Sequence, residues 1–202
     1  MSEYVKFTYA PTSADIPAFA GLVELNAYRR KLLELQLIGV DSVGVSFGNL
    51  SIRDGATENF YVTGSATGAL HDLTRDDCAR VVAYNFEKNQ VRYDGVAIPS
   101  SESLTHAAVY GSDANAGAII HCHDSKVWLA LRNQAPTTSK SAKYGTPEMA
   151  FEILRLFANP DLHRRKMLVM GGHDAGIVTF GKDLEEAFAV LVRERRGITY
   201  SR

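Results

Sequence analysis

Hydrophobic residues recur at helical spacing near the start of the chain. Between residues 16 and about 37 an apolar residue appears every three or four positions, which is the period of an amphipathic helix. Asp15 is a candidate N-cap for this helix, and Gly39 is a natural stop. Further helices are predicted from a cap at Ser100 or Ser101 to about residue 110, over residues 125–131, from residue 146 to about residue 159, and from residue 184 to the end.

Short runs of β-type residues lie between these helices, separated by polar or glycine-containing turns such as Asp54-Gly55. They predict strands over residues 43–47, 50–53, 60–63, 81–86, 90–93, 116–124, 166–170 and 177–180. Residues 1–14 form an arm or a leading strand. Because consecutive short strands joined by tight turns indicate an antiparallel sheet, we predict one α/β domain over residues 1–202, with helices surrounding that sheet.

Composition narrows the class of protein. The 202 residues are 46% hydrophobic and 22% charged, as expected for a globular domain with a sizeable core. With 22 basic and 23 acidic residues, the chain gives no indication of a nucleic-acid or anionic-membrane surface, and no segment has the length of a membrane span. The first residues lack the pattern of a signal peptide. Because Cys78 and Cys122 are far apart, we expect free thiols and a cytoplasmic location.

Two histidines, one residue apart, end the apolar strand 116–124. Side chains alternate along a strand, so His121 and His123 point to one side and Cys122 points to the other. The pair either binds one metal ion or consists of core or surface histidines held by hydrogen bonds. His173 is the natural third ligand, since its glycine-rich segment can approach a site built elsewhere; alternatively, it is a turn residue satisfied by its own loop. Three neutral histidines with an open fourth position are typical of catalytic zinc.

Glu102 follows two serines at a predicted helix start. It either stabilises the positive helix N-terminus or acts as an acid/base beside a metal-bound substrate. In the second role, a nearby cation and partial burial would shift its pKa in opposite directions. His106 lies four residues later on the same helix face. It either supports such a site from behind the ligands or is a histidine packed within the helix layer.

Turns rich in Gly, Ser, Thr and Asn follow two of the strands, at residues 48–53 and 62–68. Such turns expose backbone N–H groups and hydroxyls that can hold an oxyanion. Together with Ser100 and Ser101 at a helix N-terminus, they could form a phosphate pocket without lysine.

These features follow one another as Gly48-Asn49-Leu50-Ser51, Thr63 to Gly68, Ser100-Ser101-Glu102, His121-x-His123 and Gly172-His173. Their order resembles the class II aldolase/adducin family. The resemblance covers nearly the whole chain, from the first helix through residues 183–187 at the start of the last.

The resemblance implies a single three-layer α/β/α domain. It implies a divalent metal, usually zinc (Zn²⁺), held by His121, His123 and His173, with Glu102 as the proton shuttle. The substrate phosphate would be held by Asn49, the Thr63 to Gly68 turn, Ser100 and Ser101. Members of the family include sugar-phosphate aldolases, ribulose-phosphate 4-epimerases and a methylthioribulose-phosphate dehydratase. They commonly form C4 tetramers with the site at a subunit interface, so we expect a homotetramer and a sugar-phosphate-like substrate.

Two segments depart from the family pattern. The usual Gly-His-Gly is here Gly172-His173-Asp174-Ala175-Gly176, which predicts a longer loop on the metal side. The phosphate turn is also expanded, so either Gly64-Ser65 or Thr67-Gly68 occupies the binding position; we take Thr67 and Gly68 as the candidates.

We therefore predict a zinc-dependent lyase that cleaves or forms a C–C bond in a small hydroxy-carbonyl compound, a ketose phosphate, through a zinc-stabilised enediolate that Glu102 protonates. Manganese, cobalt or iron are alternative metals. The alternative reactions are dehydration or 4-epimerisation of a pentulose phosphate. A non-catalytic interaction domain, as in adducin, is a third possibility, but it expects the metal histidines to be lost, whereas all three are present.

Overall fold

The computed structural model describes residues 5–199, and its centre is an eight-stranded sheet. The strands of this sheet are β1 Thr8–Ser13, β4 Asn49–Arg53, β5 Phe60–Thr63, β6 Cys78–Asn85, β7 Gln90–Asp94, β8 Ala118–His123, β9 Met167–Val169 and β10 Gly176–Gly181. Two further short strands, β2 Gly39–Val40 and β3 Ser46–Phe47, pair only with each other. The order in the large sheet is β1-β7-β6-β5-β4-β8-β10-β9. All its neighbouring strands are antiparallel except β1 and β7, which are parallel.

Helices cover both faces of the sheet. They are α1 Gly21–Glu34, α2 Ser103–Ser112, α3 Ser125–Leu131, α4 Pro147–Leu156, α5 Pro160–Arg165 and α6 Leu184–Thr199. One hydrophobic core joins the sheet to α2, α4 and α5, through residues such as Leu104 and Met149. The second joins the opposite face to α1, α3 and α6, through Leu25 and Leu184. The predicted α/β fold with a mostly antiparallel central sheet between helical layers is confirmed.

The first helix is shorter than its apolar pattern predicts. It begins at Gly21 rather than near residue 16, and Asp15 is not its N-cap. Ile16 precedes a proline, which disfavours helical backbone, and its side chain is buried in the second core. Phe19 stacks on Tyr61 with the ring centroids 4.0 Å apart. Tertiary packing therefore holds residues 15–20 outside the helix.

The same helix also ends earlier than predicted, at Glu34, and Gly39 is not its stop. Gln36 adopts a left-handed conformation with φ of 56°. The N–H groups of Gln36 and Leu37 then donate to the carbonyls of Leu33 and Leu32 over 2.9 Å each. This is the hydrogen-bonding pattern of a Schellman cap, formed here without glycine.

Other boundaries also differ from the prediction. The run 43–47 forms a strand only at Ser46–Phe47. The helix starting near residue 146 ends at Leu156, and a separate helix, α5, follows. Asn159, taken as a helix end, is instead the N-cap of α5, because its side chain accepts a hydrogen bond from the Asp161 N–H with Pro160 in the first turn. The cap position of α2 is Glu102 rather than Ser100 or Ser101.

Two further expectations concern membrane-spanning segments and the cysteine thiols. Among the described residues, no helix is long and apolar enough to span a membrane. Cys78 and Cys122 are both free and buried.

Candidate metal and substrate site

The strand β8 lies between β4 and β10, and this position sets the neighbours of His121. In the antiparallel register His121 is directly opposite Asn49 on β4 and Val178 on β10. Residues directly opposite each other point to the same face of a sheet. His121 and Asn49 therefore share the face covered by α2, and His123, two residues along, shares it as well.

His173 reaches the same place from the turn between β9 and β10. Its N–H donates to the Met170 carbonyl over 3.2 Å, and its carbonyl accepts from the Gly176 N–H over 2.9 Å. A Cβ at position 176 would lie 2.7 Å from Cδ2 of the His173 ring, so this turn requires glycine there. The longer connection between the strands thus folds back on itself and directs the imidazole toward β8.

The three imidazoles converge. One nitrogen from each of His121, His123 and His173 lies within 4.8 Å of the others. Nε2 of His123 and Nε2 of His173 are 3.0 Å apart. The other ring nitrogen of His121, Nδ1, is 3.1 Å from the Ile177 carbonyl, to which a neutral imidazole donates its proton. This contact assigns the tautomer that leaves Nε2 of His121 with a free lone pair.

Burial keeps these histidines neutral. It lowers the pKa of His123 to about 4 and that of His173 to about 3, with the charges of His123 and Lys6 adding to the effect on His173. Burial, and then the neighbouring histidines, also lowers the pKa of His121 well below its usual value. Metal ligands must be deprotonated, and ligating histidines commonly donate their second N–H to a carbonyl. The donor set therefore fits a divalent metal ion.

Glu102 lines the same cavity as the histidines and is 2% exposed. The Thr105 hydroxyl donates to Oε2 over 2.5 Å, whereas Oε1 is buried and has no hydrogen-bond partner. Burial raises the pKa of Glu102 to about 7, and the Thr105 hydrogen bond and the Lys6 charge oppose that shift. Although Glu102 occupies the cap position of α2, its side chain makes no capping hydrogen bond.

A cavity of about 460 Å³ opens over these groups. All nine residues predicted to form the site line it, namely Asn49, Thr67, Gly68, Ser100, Ser101, Glu102, His121, His123 and His173. The side-chain oxygen of Asn49 is buried and has no hydrogen-bond partner. The structure thus brings the predicted residues together, while their roles remain predictions.

Backbone contacts join the two halves of the predicted phosphate pocket. The Ser65 N–H donates to the Ile98 carbonyl over 2.7 Å, and Gly64 forms an isolated β-bridge with Pro99. These contacts hold the 64–68 turn beside Ser100. The Gly68 N–H donates to the Ser46 hydroxyl over 3.1 Å. Both candidate pairs, Gly64-Ser65 and Thr67-Gly68, line the cavity.

Sequence patterns missed a buried arginine that supports this turn. Arg29 on α1 is 1% exposed and donates to the Thr67 carbonyl over 2.5 Å and to the Leu70 carbonyl over 2.6 and 3.0 Å. Burial lowers its pKa. The available signal was a charged residue on the apolar face of the helix, between Leu25 and Leu32.

Sequence patterns gave no role to Tyr144 and left two roles open for His106. Tyr144, from the loop after α3, lines the cavity with its ring 4.6 Å from that of His173. His106, for which two roles were open, lies in a buried network: its Nδ1 is 2.6 Å from the Ser51 hydroxyl, which is 2.8 Å from the Tyr110 hydroxyl. His106 is therefore packed inside the fold and does not line the cavity.

Comparison with known proteins gives one family match. The sequence model of the Class II Aldolase and Adducin N-terminal domain matches residues 35–194. A search of curated proteins finds no match.

Solved structures share the fold at low sequence identity. An L-fuculose 1-phosphate aldolase superposes with a TM-score of 0.68 at 21% identity, covering 91% of this chain and 84% of that one. The l-fuculose-1-phosphate aldolase from Thermus thermophilus gives a TM-score of 0.63 at 19% identity, covering 90% and 92%. YgbL from Escherichia coli, a putative aldolase/epimerase/decarboxylase, gives 0.65 at 16% identity, covering 89% and 87%.

Proposed function

Because the chain belongs to the class II aldolase and adducin N-terminal domain family, we propose that it is a metal-dependent lyase acting on a small hydroxy-carbonyl compound, a ketose phosphate. The observation that carries this proposal is the convergence of three neutral histidine nitrogens within 4.8 Å in a cavity that also contains the buried carboxyl group of Glu102. An interaction domain without catalysis has no need of this combination.

We propose that His121, His123 and His173 hold a divalent metal, in particular zinc. A divalent ion in this position supplies Lewis acidity, which draws electron density from carbonyl and hydroxyl oxygens of a substrate. Residues of the chain carry out the other two tasks, which are orienting the phosphate group and transferring the proton. Hydrogen bonds from hydroxyl, amide and backbone donors orient the phosphate group of the substrate. The residues that provide these donors are Asn49, Thr67, Gly68, Ser100 and Ser101.

Glu102 moves the proton in this proposal. In cleavage, the hydroxyl group that becomes the product aldehyde loses a proton, and the carbon that loses its C–C bond gains one. Oε1 of Glu102 is the oxygen available to accept the first proton and to deliver it to that carbon. A pKa of about 7 gives the carboxyl group comparable populations of acid and base near neutral pH, so it can accept and deliver the proton in either direction of the reaction. The buried site limits exchange of that proton with solvent.

Three further proposals concern the whole chain. We propose that the chain is one domain, since both hydrophobic cores adjoin the same sheet. We propose a homotetramer with the site at a subunit interface, as the family commonly has. A reducing cytoplasm is the proposed location, in agreement with two free buried thiols.

Metal content tests the ligand assignment directly. Protein purified without chelator is expected to contain about one divalent metal per chain by elemental analysis, and the variant His121→Ala is expected to lose it. His106→Ala is the control, since His106 lies outside the cavity. Equal metal content in wild type and His121→Ala would refute the assignment.

A substrate panel tests the reaction. Ketose 1-phosphates, their non-phosphorylated analogues and methylthioribulose phosphate are incubated with the protein, with and without chelator. Aldehyde and ketone products from a ketose phosphate, lost on chelation, are expected. Loss of water from methylthioribulose phosphate, or inversion at C4 of a pentulose phosphate, would instead identify the dehydratase or the epimerase, and chelator-insensitive products would exclude a metal-dependent reaction.

A further inference from the structure

A second cavity, of about 560 Å³, adjoins the metal cavity at His173. Lys140, Lys143 and Asp174 line it, together with Tyr144 and His173. Tyr144 and His173 are the residues that it shares with the metal cavity, and no residue of the proposed phosphate pocket lines it. The two cavities therefore adjoin at Tyr144 and His173, and the residues of the proposed phosphate pocket line only the first.

The N-terminal arm brings a third lysine to this place. The ammonium group of Lys6 lies 3.5 Å from the centre of the Tyr144 ring, a cation–π contact. The carbonyl of Lys6 accepts a hydrogen bond from the Asn89 side chain over 2.9 Å, and the neighbouring Phe7 is buried in the first core. Lys6 precedes residues 35–194, which match the family model, so this lysine is a feature of the arm of this chain.

The loop that carries the other two lysines is held by close backbone packing. A Cβ at Gly172 would lie 1.8 Å from the Ala142 carbonyl oxygen, so this contact exists only with glycine. The adjacent Gly171 N–H donates to the hydroxyl of the buried Thr138 over 2.9 Å. The loop 138–145 is thus fixed against the segment that contains His173.

The three lysines form no ion pair with a described carboxylate, although the charge of Glu102 acts on Lys6 from a longer distance. Within residues 5–199 none of the ion pairs includes Lys6, Lys140 or Lys143, and Asp174 is the sole carboxylate that lines the second cavity. All three lysines are exposed, so an incoming ligand can reach them. In the metal cavity, by contrast, no described lysine or arginine contributes to the lining. The positive charge around the site therefore lies on the His173 side.

We propose that the substrate carries a second anionic group, a carboxylate or a phosphate, at the end opposite the phosphate pocket, and that Lys6 and Lys143 bind it. This inference rests on the proposed sugar-phosphate chemistry and narrows the substrate to a compound with anionic groups at both ends. Tyr144 is the surface along which the chain of the substrate passes between the two cavities. Lys140, which also lines the second cavity, adds long-range attraction.

Binding calorimetry on the metal-loaded protein tests this proposal with three probes of equal carbon length. Erythritol 4-phosphate has one anionic end, 4-phosphoerythronate adds a carboxylate, and erythritol 1,4-bisphosphate adds a second phosphate. Wild type is expected to bind at least one of the two doubly anionic probes about 10-fold more tightly than the monophosphate, the size of one charge-assisted hydrogen bond. The doubly anionic probe that gains more affinity over the monophosphate identifies the second anionic group as a carboxylate or a phosphate.

The variants Lys6→Gln and Lys143→Gln are each expected to lose most of that preference of about 10-fold and to bind the monophosphate like wild type. Lys88→Gln, at an exposed lysine that lines neither cavity, is the matched control and should keep the preference. Equal affinity for all three probes in wild type would overturn the inference while leaving the phosphate pocket intact. If the monophosphate itself fails to bind, the proposed function is wrong, and the inference falls with it.

Discussion

At the scale of single residues, Glu102 is the side chain on which the proposed chemistry depends. Its carboxyl group has one oxygen bonded to Thr105 and the other without a partner, and burial raises its pKa to about 7. A residue that only stabilised the helix N-terminus would gain from being ionised and would not need this burial. Two measurements on one variant, Glu102→Gln, separate the two roles.

The first prediction is kinetic. Glu102→Gln keeps the size of the side chain but cannot transfer a proton, so kcat on the true substrate is expected to fall about 10²–10⁴-fold. KM should change little, because the lost interaction is with the proton in transit and not with bound substrate. Metal content, measured in parallel, should equal that of wild type. Unchanged kcat with full metal content would leave Glu102 a helix-start residue and exclude it as the acid/base.

The second prediction concerns stability against pH in protein freed of metal by chelator. The unfolded chain releases the Glu102 proton near pH 4.5 and the folded chain near pH 7, so between these values the folded state binds more protons. Stability of wild type relative to Glu102→Gln should therefore decrease as pH rises through this window, by about 3 kcal/mol in total. Urea unfolding at several pH values measures the difference, in which the titrations common to both proteins cancel. A relative stability that is flat or rises with pH would contradict the buried, protonated carboxyl group.

Residue patterns predicted those parts of the site whose side chains are close together in the sequence. The His-x-His pair needs only the alternation of a strand to share a face, and the cavity contains all nine predicted residues. The supporting residues were missed because their surroundings arise from distant parts of the chain. Arg29 contacts the carbonyls of Thr67 and Leu70, 38 and 41 positions away, and Lys6 meets Tyr144 across the fold. Contacts between such distant residues cannot be predicted from the spacing of neighbouring residues.

At the scale of elements, the turn at residues 64–68 depends on a helix from elsewhere in the chain. Arg29 of α1 is buried, and its guanidinium donates to the carbonyls of Thr67 and Leu70. Within the described residues, no carboxylate forms an ion pair with it. The arginine therefore acts on the turn through main-chain carbonyl groups, which fixes the backbone that is proposed to hold phosphate.

The third prediction follows from these hydrogen bonds. Arg29→Met keeps the length of the side chain but leaves the carbonyls of Thr67 and Leu70 without donors, so the free energy of unfolding should fall by about 1–3 kcal/mol. Affinity for erythritol 4-phosphate should also weaken, with metal content unchanged. Arg30→Met is the control: its partner Asp72 is exposed, and an exposed ion pair contributes at most about 1 kcal/mol. Equal losses in the two variants, by urea unfolding, would show that the buried contacts have no special role.

Element boundaries were predicted well where hydrophobic pattern and packing agree, as for β5 and α3, whose bounds match the expected ones. They failed where a tertiary contact competes with the pattern. Residues 15–20 have helical spacing, but Ile16 enters the core and Phe19 stacks on Tyr61. Asn159-Pro160 is consistent with either a helix end or a helix start, and only the hydrogen bond that the Asp161 N–H donates to the Asn159 side chain decides between them.

At the scale of the whole molecule, the surface around the cavity is partly apolar. Val43 is 80% exposed and lies in the turn whose residues Asp41, Gly44 and Val45 line the mouth of the metal cavity. Asp41 stabilises this turn by accepting hydrogen bonds from the N–H groups of Val43 and Val45. One exposed valine is ordinary on a protein surface, so its burial by a second subunit rests on the proposed tetramer and on the position of this turn beside the site.

The fourth prediction is that the chain forms a homotetramer and that Val43 is buried in its interface. Light scattering at micromolar concentration should give about four times the 22.1 kDa of one chain. Val43→Asp places a charge in the proposed interface, where its desolvation is unfavourable, and should shift the mass toward smaller species. Activity should fall with the mass, because the interface adjoins the site. Ala56→Asp is the control, an equally charged change at an exposed position in the turn between β4 and β5, at the end of β4 away from Asn49. A monomer that turns over its substrate, or a Val43→Asp protein with the wild-type mass, would exclude an interface at this turn.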